Sequence, residues 1–283
     1  MTVKLLISDL DGTLLDEGLV LSPLDIAAAG EARAAGLRVG VATGRMYRSG
    51  LPHALALGAD LPLICYQGAL IKERPVDGGG TTDPESTPVL FERPVPPELG
   101  LQVLELCRRR GYALNVYLDD HLYVDQINDD VLFYTGIAQV QAEVAADPPL
   151  EKLLLRGSTK LTVVTADLDR FSAALAELRQ TIGDRAEVTR SLVGFCEITA
   201  KGVDKGRALR WLCHHLGVET TEVVAVGDAP NDLSLLEAAG TRVAVETASA
   251  EVRAIADWLV PGPGQGGLAE VVRRVLMAPA GAR

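Results

Sequence analysis

The first apolar run of the chain closes on two aspartates one residue apart: Val3-Lys4-Leu5-Leu6-Ile7-Ser8 leads into Asp9-Leu10-Asp11-Gly12-Thr13. A buried strand that delivers two carboxylates to one place must offset their repulsion, and a hard divalent cation with oxygen ligands does that best. Asp9 and Asp11 therefore read as a metal and nucleophile pair. The competing reading is a plain turn, with the aspartates capping backbone groups and Gly12 taking a positive φ. A second acidic cluster favours chemistry: Glu222-Val223-Val224-Ala225-Val226-Gly227-Asp228-Ala229-Pro230-Asn231-Asp232 is again an apolar strand that runs into glycine, two aspartates and an asparagine.

Parallel sheets place ligands beyond the carboxyl ends of their strands, so two such ends can converge on one crevice. Three further junctions fit. Val39-Gly40-Val41-Ala42 enters Thr43-Gly44-Arg45, where a hydroxyl, backbone amides and a following helix N-terminus suit an anionic oxygen. Leu61 to Tyr66 enters Gln67-Gly68-Ala69, and Lys205 opens a helix after Gly202-Val203-Asp204, bringing a positive charge. Read singly, Thr43 could be a helix N-cap, Arg45 a salt-bridge partner or a ligand contact, and Lys201 the alternative carrier of the charge.

Together Asp9-Leu10-Asp11-Gly12-Thr13, Thr43-Gly44-Arg45, Lys205 and Gly227-Asp228-Ala229-Pro230-Asn231-Asp232 resemble the four motifs of the haloacid dehalogenase superfamily of phosphatases. Their order and the long gap between the second and third are similar to the Cof-like (type IIB) branch, which inserts a large α/β cap there. The resemblance covers essentially the whole chain. It implies Asp9 as nucleophile, attacking phosphorus to give an aspartyl-phosphate. Asp11 would be general acid toward the leaving alcohol and then general base toward water, its backbone carbonyl joining Asp9 on magnesium. Asp228 would complete the metal ligands, with Asp232 orienting a water or supporting Lys205. Gly12, Thr43, Gly44, Arg45, Lys205 and Asn231 would bind the phosphoryl group or brace its loop. Gln67-Gly68 and Glu246-Thr247-Ala248 stand where many members have Asn-Gly and Asn-Ala.

The elements that must position these groups follow from pattern and punctuation. Residues 1–83 alternate strand and helix: Val3 to Ser8, Pro23 to Ala35, Leu37 to Ala42, a helix after Arg45, and Leu61 to Tyr66. Alternation with short loops implies a parallel sheet covered on both faces. Asp77 to Pro84, with three consecutive glycines, reads as a hairpin tip. From 84 to 191 the pattern changes to a helix over Pro96 to Arg110, a hairpin over Leu114 to Val124 turning at Asp119-Asp120, a strand over Lys160 to Thr165 and a helix over Phe171 to Thr181. Two helices on one face of a mostly antiparallel sheet account for that. After a strand over Val193 to Thr199, alternation resumes through Lys205 to Leu216, Val223 to Val226, Leu233 to Ala239, Val243 to Val245 and a final helix near Leu268 to Met277. The expected fold is α/β: a Rossmann-like core of 1–83 and 192–283 with an α/β cap inserted over 84–191.

Composition narrows the function. A length of 283 residues gives a prior of about two domains. A net charge of −11 opposes nucleic acid as a partner, since phosphate-backbone binding relies on clustered Lys and Arg; Arg108-Arg109-Arg110 suits the last turn of a helix. No stretch approaches the ~20 apolar residues of a membrane span, which also excludes an ion pump of related chemistry. Cys65, Cys107, Cys196 and Cys213 are widely spaced and read as reduced thiols of a cytoplasmic protein. The resemblance implies a magnesium-dependent hydrolase of a small phosphate monoester, such as a sugar phosphate. The alternatives are a phosphosugar mutase of the same fold and a non-catalytic sugar-phosphate-binding protein; a dehalogenase has no alcohol to protonate and no use for Asp11.

Overall fold

A computed structural model describes residues 3–75, 86–190 and 194–277, so the glycine-rich stretch expected as a hairpin tip lies outside the described residues. The chain divides into two compact units, Met1–Leu90 with Asp204–Arg283, and Phe91–Val203. The first opens with β1 (Leu5–Ser8), α1 (Pro23–Ala34), β2 (Arg38–Val41), α2 (Tyr47–Leu57), β3 (Leu63–Cys65) and β4 (Leu70–Lys72), and β5 (Val89–Glu92) leads out of it. The second holds α3 (Pro97–Arg110), β6 (Ala113–Leu118), β7 (His121–Val124), α4 (Asp129–Ala138), β8 (Ala142–Val144), α5 (Leu150–Leu154), β9 (Lys160–Val164), α6 (Leu168–Ile182), β10 (Ala186–Arg190) and β11 (Phe195–Ala200). The first unit resumes with α7 (Lys205–Leu216), β12 (Val223–Gly227), α8 (Leu233–Ala238), β13 (Thr241–Val245), α9 (Ala250–Ile255), β14 (Trp258–Val260) and α10 (Gly267–Met277).

Its main sheet has the order β14-β13-β12-β1-β2, with every neighbouring pair parallel. All four residues of β1 are buried, as a central parallel strand covered on both faces requires, which is why Leu5-Leu6-Ile7 reads as a continuous apolar run. The chain leaves β1 toward β2 on one side and returns through β12 on the other. That reversal of direction at β1 and β12 is where an open α/β sheet forms its ligand crevice. The strand expected over Leu61 to Tyr66 is confined to Leu63–Cys65, because Tyr66 and Gln67 take φ of 51° and 60°, which ends extended chain.

The second unit is built on a sheet of order β10-β11-β9-β6-β7-β8. Its strand pairs are antiparallel apart from β7 with β8. Leu99 and Val103 of α3 and Phe171 and Leu178 of α6 pack with Val116, Leu161 and Ile198 into one apolar core. The hairpin turns at Asp119 and Asp120, with φ of 51° and 61°, the positive pair that a two-residue turn needs between twisted strands. Helices α4 and α5 and strands β8 and β10 are additions to the sequence expectation. Strand β11 pairs with both β9 and β10, so packing divides the chain at Val203 and Asp204, whereas the sequence pattern divides it at 191 and 192.

Candidate active site

The last rung between β1 and β12 is the Asp9 amide donating to the Val226 carbonyl at 3.0 Å, which sets Asp9 beside the loop that carries Asp228 and Asp232. Immediately after, the chain turns tightly: the Leu10 carbonyl accepts from the amides of Thr13, Leu14 and Leu15 at 3.3, 2.9 and 2.8 Å. Gly12 makes that turn with φ of +79°, and a Cβ there would lie 2.5 Å from Asp228 Oδ2. Any other residue would be strained and would collide with the carboxylate. Thr13 completes the join by donating from Oγ1 to Asp228 Oδ1 at 2.7 Å. The turn expected of the aspartate motif exists, and it presses its glycine against the second acidic cluster.

Lys205, the first residue of α7, donates from Nζ to Asp9 Oδ1 and to Asp232 Oδ1, each at 2.6 Å. Asp204 caps this helix by accepting from the Arg207 amide at 2.7 Å, which fixes where the lysine stem begins. Lys201 instead pairs with Glu187 at 3.5 Å and is exposed, so Lys205 is the lysine that meets the acidic cluster. Asp232 is fully buried, and its other oxygen accepts from the amides of Asp228 and Ala229, both at 3.1 Å. Its two oxygens are therefore engaged by protein donors.

Ligand oxygens of Asp9, Asp228 and Asp232 lie within 4.8 Å of one another. Burial pushes the Asp9 carboxyl well above the usual carboxylate range; Lys205 opposes the shift, and Asp232, Asp228 and Asp11 add to it. Burial, followed by the Asp232 charge, pushes Asp228 up to about 6. For Lys205, burial pulls down but Asp232 and Asp9 outweigh it, and its pKa is raised. Three carboxylates against one ammonium leave an excess of negative charge, and the donors are all oxygen. Both facts suit a hard divalent cation. Asp9, Asp228 and Asp232 are the three that could hold one, with both Asp232 oxygens also accepting from protein donors.

The Asp11 carboxylate stands apart from this grouping. Arg45 grips it with both arms of its guanidinium, Nε to Oδ2 at 2.8 Å and Nη2 to Oδ1 at 2.5 Å. Thr43 is fully buried; its amide donates to the Ile64 carbonyl at 2.8 Å, and its Oγ1 accepts from the Arg45 amide at 3.1 Å. That bond closes a turn ahead of α2, whose N-cap position is Met46 and has no side-chain cap, so Thr43 is not the helix N-cap. Gln67 accepts from Asn231 Nδ2 at 3.1 Å, and a Cβ on Gly44 would lie 2.4 Å from its Nε2. The residue that departs from the common Asn-Gly pattern thus braces two of the candidate phosphate loops against each other.

Thr13 and His53 escape the sequence reading. Thr13 looks like an ordinary turn residue, and only the fold brings it to a partner 215 positions away. His53, on α2, is depressed below the usual imidazole range by burial and then by the Arg45 charge, with Asp11 opposing; one helical turn beyond Ser49, it is the sort of position a helix pattern could flag.

The profile of the haloacid dehalogenase-like hydrolases matches residues 6–272. The 5-amino-6-(5-phospho-D-ribitylamino)uracil phosphatase YwtE of Bacillus subtilis is 27% identical, over 97% of this chain and 98% of its own. The pyridoxal phosphate phosphatase YbhA of Escherichia coli is 29% identical, over 92% and 94%. Among solved structures, that of TM0651 from Thermotoga maritima superposes with a TM-score of 0.82 at 30% identity, covering 96% of this chain and 97% of that one.

Proposed function

The chain belongs to the haloacid dehalogenase-like hydrolases and hydrolyses phosphoric monoesters, and on that premise we propose that it is a magnesium-dependent phosphatase of a small phosphorylated metabolite, such as a sugar phosphate, working through an aspartyl-phosphate on Asp9. The observation that carries this reading is the Lys205 ammonium 2.6 Å from Asp9 within a cluster of three carboxylates. An ammonium in contact favours the charged form of the Asp9 oxygen, the form a nucleophile needs, and so works against the burial that raises its carboxyl.

Asp9 attacks phosphorus in line as the bond to the leaving alcohol breaks, and Asp11 gives that alcohol its proton. Asp11 then takes a proton from the water that displaces Asp9. Lys205 holds positive charge beside the nucleophile and the phosphoryl oxygens, and Asp232 fixes Lys205. Thr43 and the Gly44 amide line the place of the phosphoryl oxygens, Gly12 shapes the turn beside them with its amide donating to the Leu15 carbonyl at 3.2 Å, and Gln67 and Asn231 hold the loops. Asp9 and Asp228 would hold the magnesium ion, which supplies positive charge to offset nucleophile and phosphoryl group when bound. Asp11 would join through its backbone carbonyl. Every one of these residues belongs to the first unit, which supports assigning choice of leaving group to the inserted segment.

The test is turnover of p-nitrophenyl phosphate with magnesium, without it, and in the Asp9→Asn protein. Removing the nucleophile should cost roughly 10⁴-fold or more in rate, with an unchanged circular dichroism spectrum. A variant that keeps more than about a tenth of the rate, only ~1.4 kcal/mol of barrier, would mean that Asp9 is not the nucleophile.

A further inference from the structure

The Arg45–Asp11 pair is unequal. Arg45 is anchored: its amide donates to Thr43 Oγ1 at 3.1 Å, its carbonyl accepts from the Tyr66 amide at 3.0 Å, and Nη1 donates to Ser49 Oγ at 3.3 Å. Its side chain is 12% exposed, against 48% for Asp11. The guanidinium is thus the fixed member, and a two-armed grip sets the plane of the carboxylate as well as its distance. Both Asp11 oxygens accept from the guanidinium, so the grip as it stands leaves neither oxygen with a proton to give away without displacing an arm of Arg45.

The two steps ask opposite things of Asp11. Loss of the alcohol needs the protonated acid, whereas hydrolysis of the aspartyl-phosphate needs the carboxylate. The second step is the one the observed pair fits: a water oxygen bonds to phosphorus, the bond from phosphorus to the Asp9 oxygen breaks and returns its electrons to the Asp9 carboxylate, inorganic phosphate leaves, and the water proton passes to Asp11. We propose that Arg45 is a positioning residue that presents the Asp11 carboxylate as the base for this second step, in place of the phosphate contact its motif leads one to expect. The proposal rests on the assignment of Asp9 as nucleophile.

p-Nitrophenyl phosphate separates the steps, because its phenolate leaves without a proton. In Arg45→Ala, hydrolysis of the intermediate should slow while its formation does not. With this ester kcat should fall about tenfold or more, KM should fall in the same proportion, and kcat/KM should stay within about threefold. Protein quenched in acid during turnover of ³²P-labelled ester should carry more label than the wild type. Arg45→Lys, which keeps the charge and one donor, should recover part of kcat and guards against a folding defect in the alanine variant. A raised KM with a tenfold loss of kcat/KM would make Arg45 a phosphate ligand, and an unchanged kcat would make the pair a surface bridge; either overturns the proposal. A wild-type protein inert toward this ester with magnesium would instead overturn the phosphatase reading on which the proposal stands.

Discussion

Two of the buried lysines, Lys160 of the second unit and Lys205 of the first, show how charge accounting separates a structural site from a chemical one. In the second unit Lys160 donates to Glu197 at 2.8 Å and lies over the Tyr117 ring, 5.0 Å from its centroid; ammonium and carboxylate match in number. In the first unit Lys205 faces Asp9 and Asp232 directly, and Asp228 lies within the same 4.8 Å grouping. Among the described residues the first is one ammonium against one carboxylate. The second carries an excess of negative charge, and that imbalance, rather than burial, is what distinguishes the place proposed for catalysis. Buried ion pairs by themselves are weak grounds for stability or function.

The sharpest way to break the comparison is to remove each ammonium in turn. Lys205→Met strips the charge from nucleophile and phosphoryl oxygens together and should lower kcat/KM for p-nitrophenyl phosphate by roughly 10²–10³-fold. Lys160→Met should leave that ester's turnover within about threefold. Its effect should appear in urea unfolding instead, as a loss on the order of 3 kcal/mol from an uncompensated buried Glu197. If Lys160→Met silences turnover in a folded protein as thoroughly as Lys205→Met, the contrast between matched charges and an excess of negative charge fails.

A smaller effect sharpens the same point. Asp228, raised to about 6 chiefly by burial, keeps a proton in the folded chain that the unfolded chain loses near pH 4. Its contribution to stability is therefore full below about pH 4 and is lost as pH rises through about 6. Magnesium binds the ionised carboxylates, so its stabilisation should run the opposite way and grow with pH. Calorimetry should show magnesium raising the unfolding midpoint by more at pH 7.5 than at pH 5, by about 2–4 °C for each ~1 kcal/mol gained. Asp228→Asn should flatten the difference. A magnesium effect independent of pH would remove Asp228 from the ligand set.

How far such a site can be read from sequence depends on which forces leave a local trace. The ends of β1 and β12 are legible because a central parallel strand is apolar on both faces and then stops at polar residues: Leu5-Leu6-Ile7 before Asp9, Val223 to Gly227 before Asp228. Helix α7 is legible to the residue, Lys205–Leu216, through the Asp204 cap and the Gly217 end. Helix α4 is not, because Val131, Leu132, Phe133 and Tyr134 follow one another with no polar face to set a helical period; Asn128, which accepts from the Val131 amide at 2.9 Å, was its readable signal. Strand β10, Ala-Glu-Val-Thr-Arg, buries Ala186 and Val188 in alternation, yet five residues are too few to stand out. The Arg45 grip on Asp11 spans 34 positions and leaves no local trace at all; it exists because two separate turns deliver the groups to one place.

The central claim is that the phosphoryl group passes through Asp9, and one measurement addresses it directly. Wild-type protein turning over p-nitrophenyl phosphate with magnesium is quenched in acid, digested and read by tandem mass spectrometry, beside Asp9→Asn treated identically. The mechanism places a phosphoryl group on Asp9 in the wild type and on no residue of the variant. Steady turnover with no phosphorylated peptide, or a phosphoryl group on a residue other than Asp9, would contradict it.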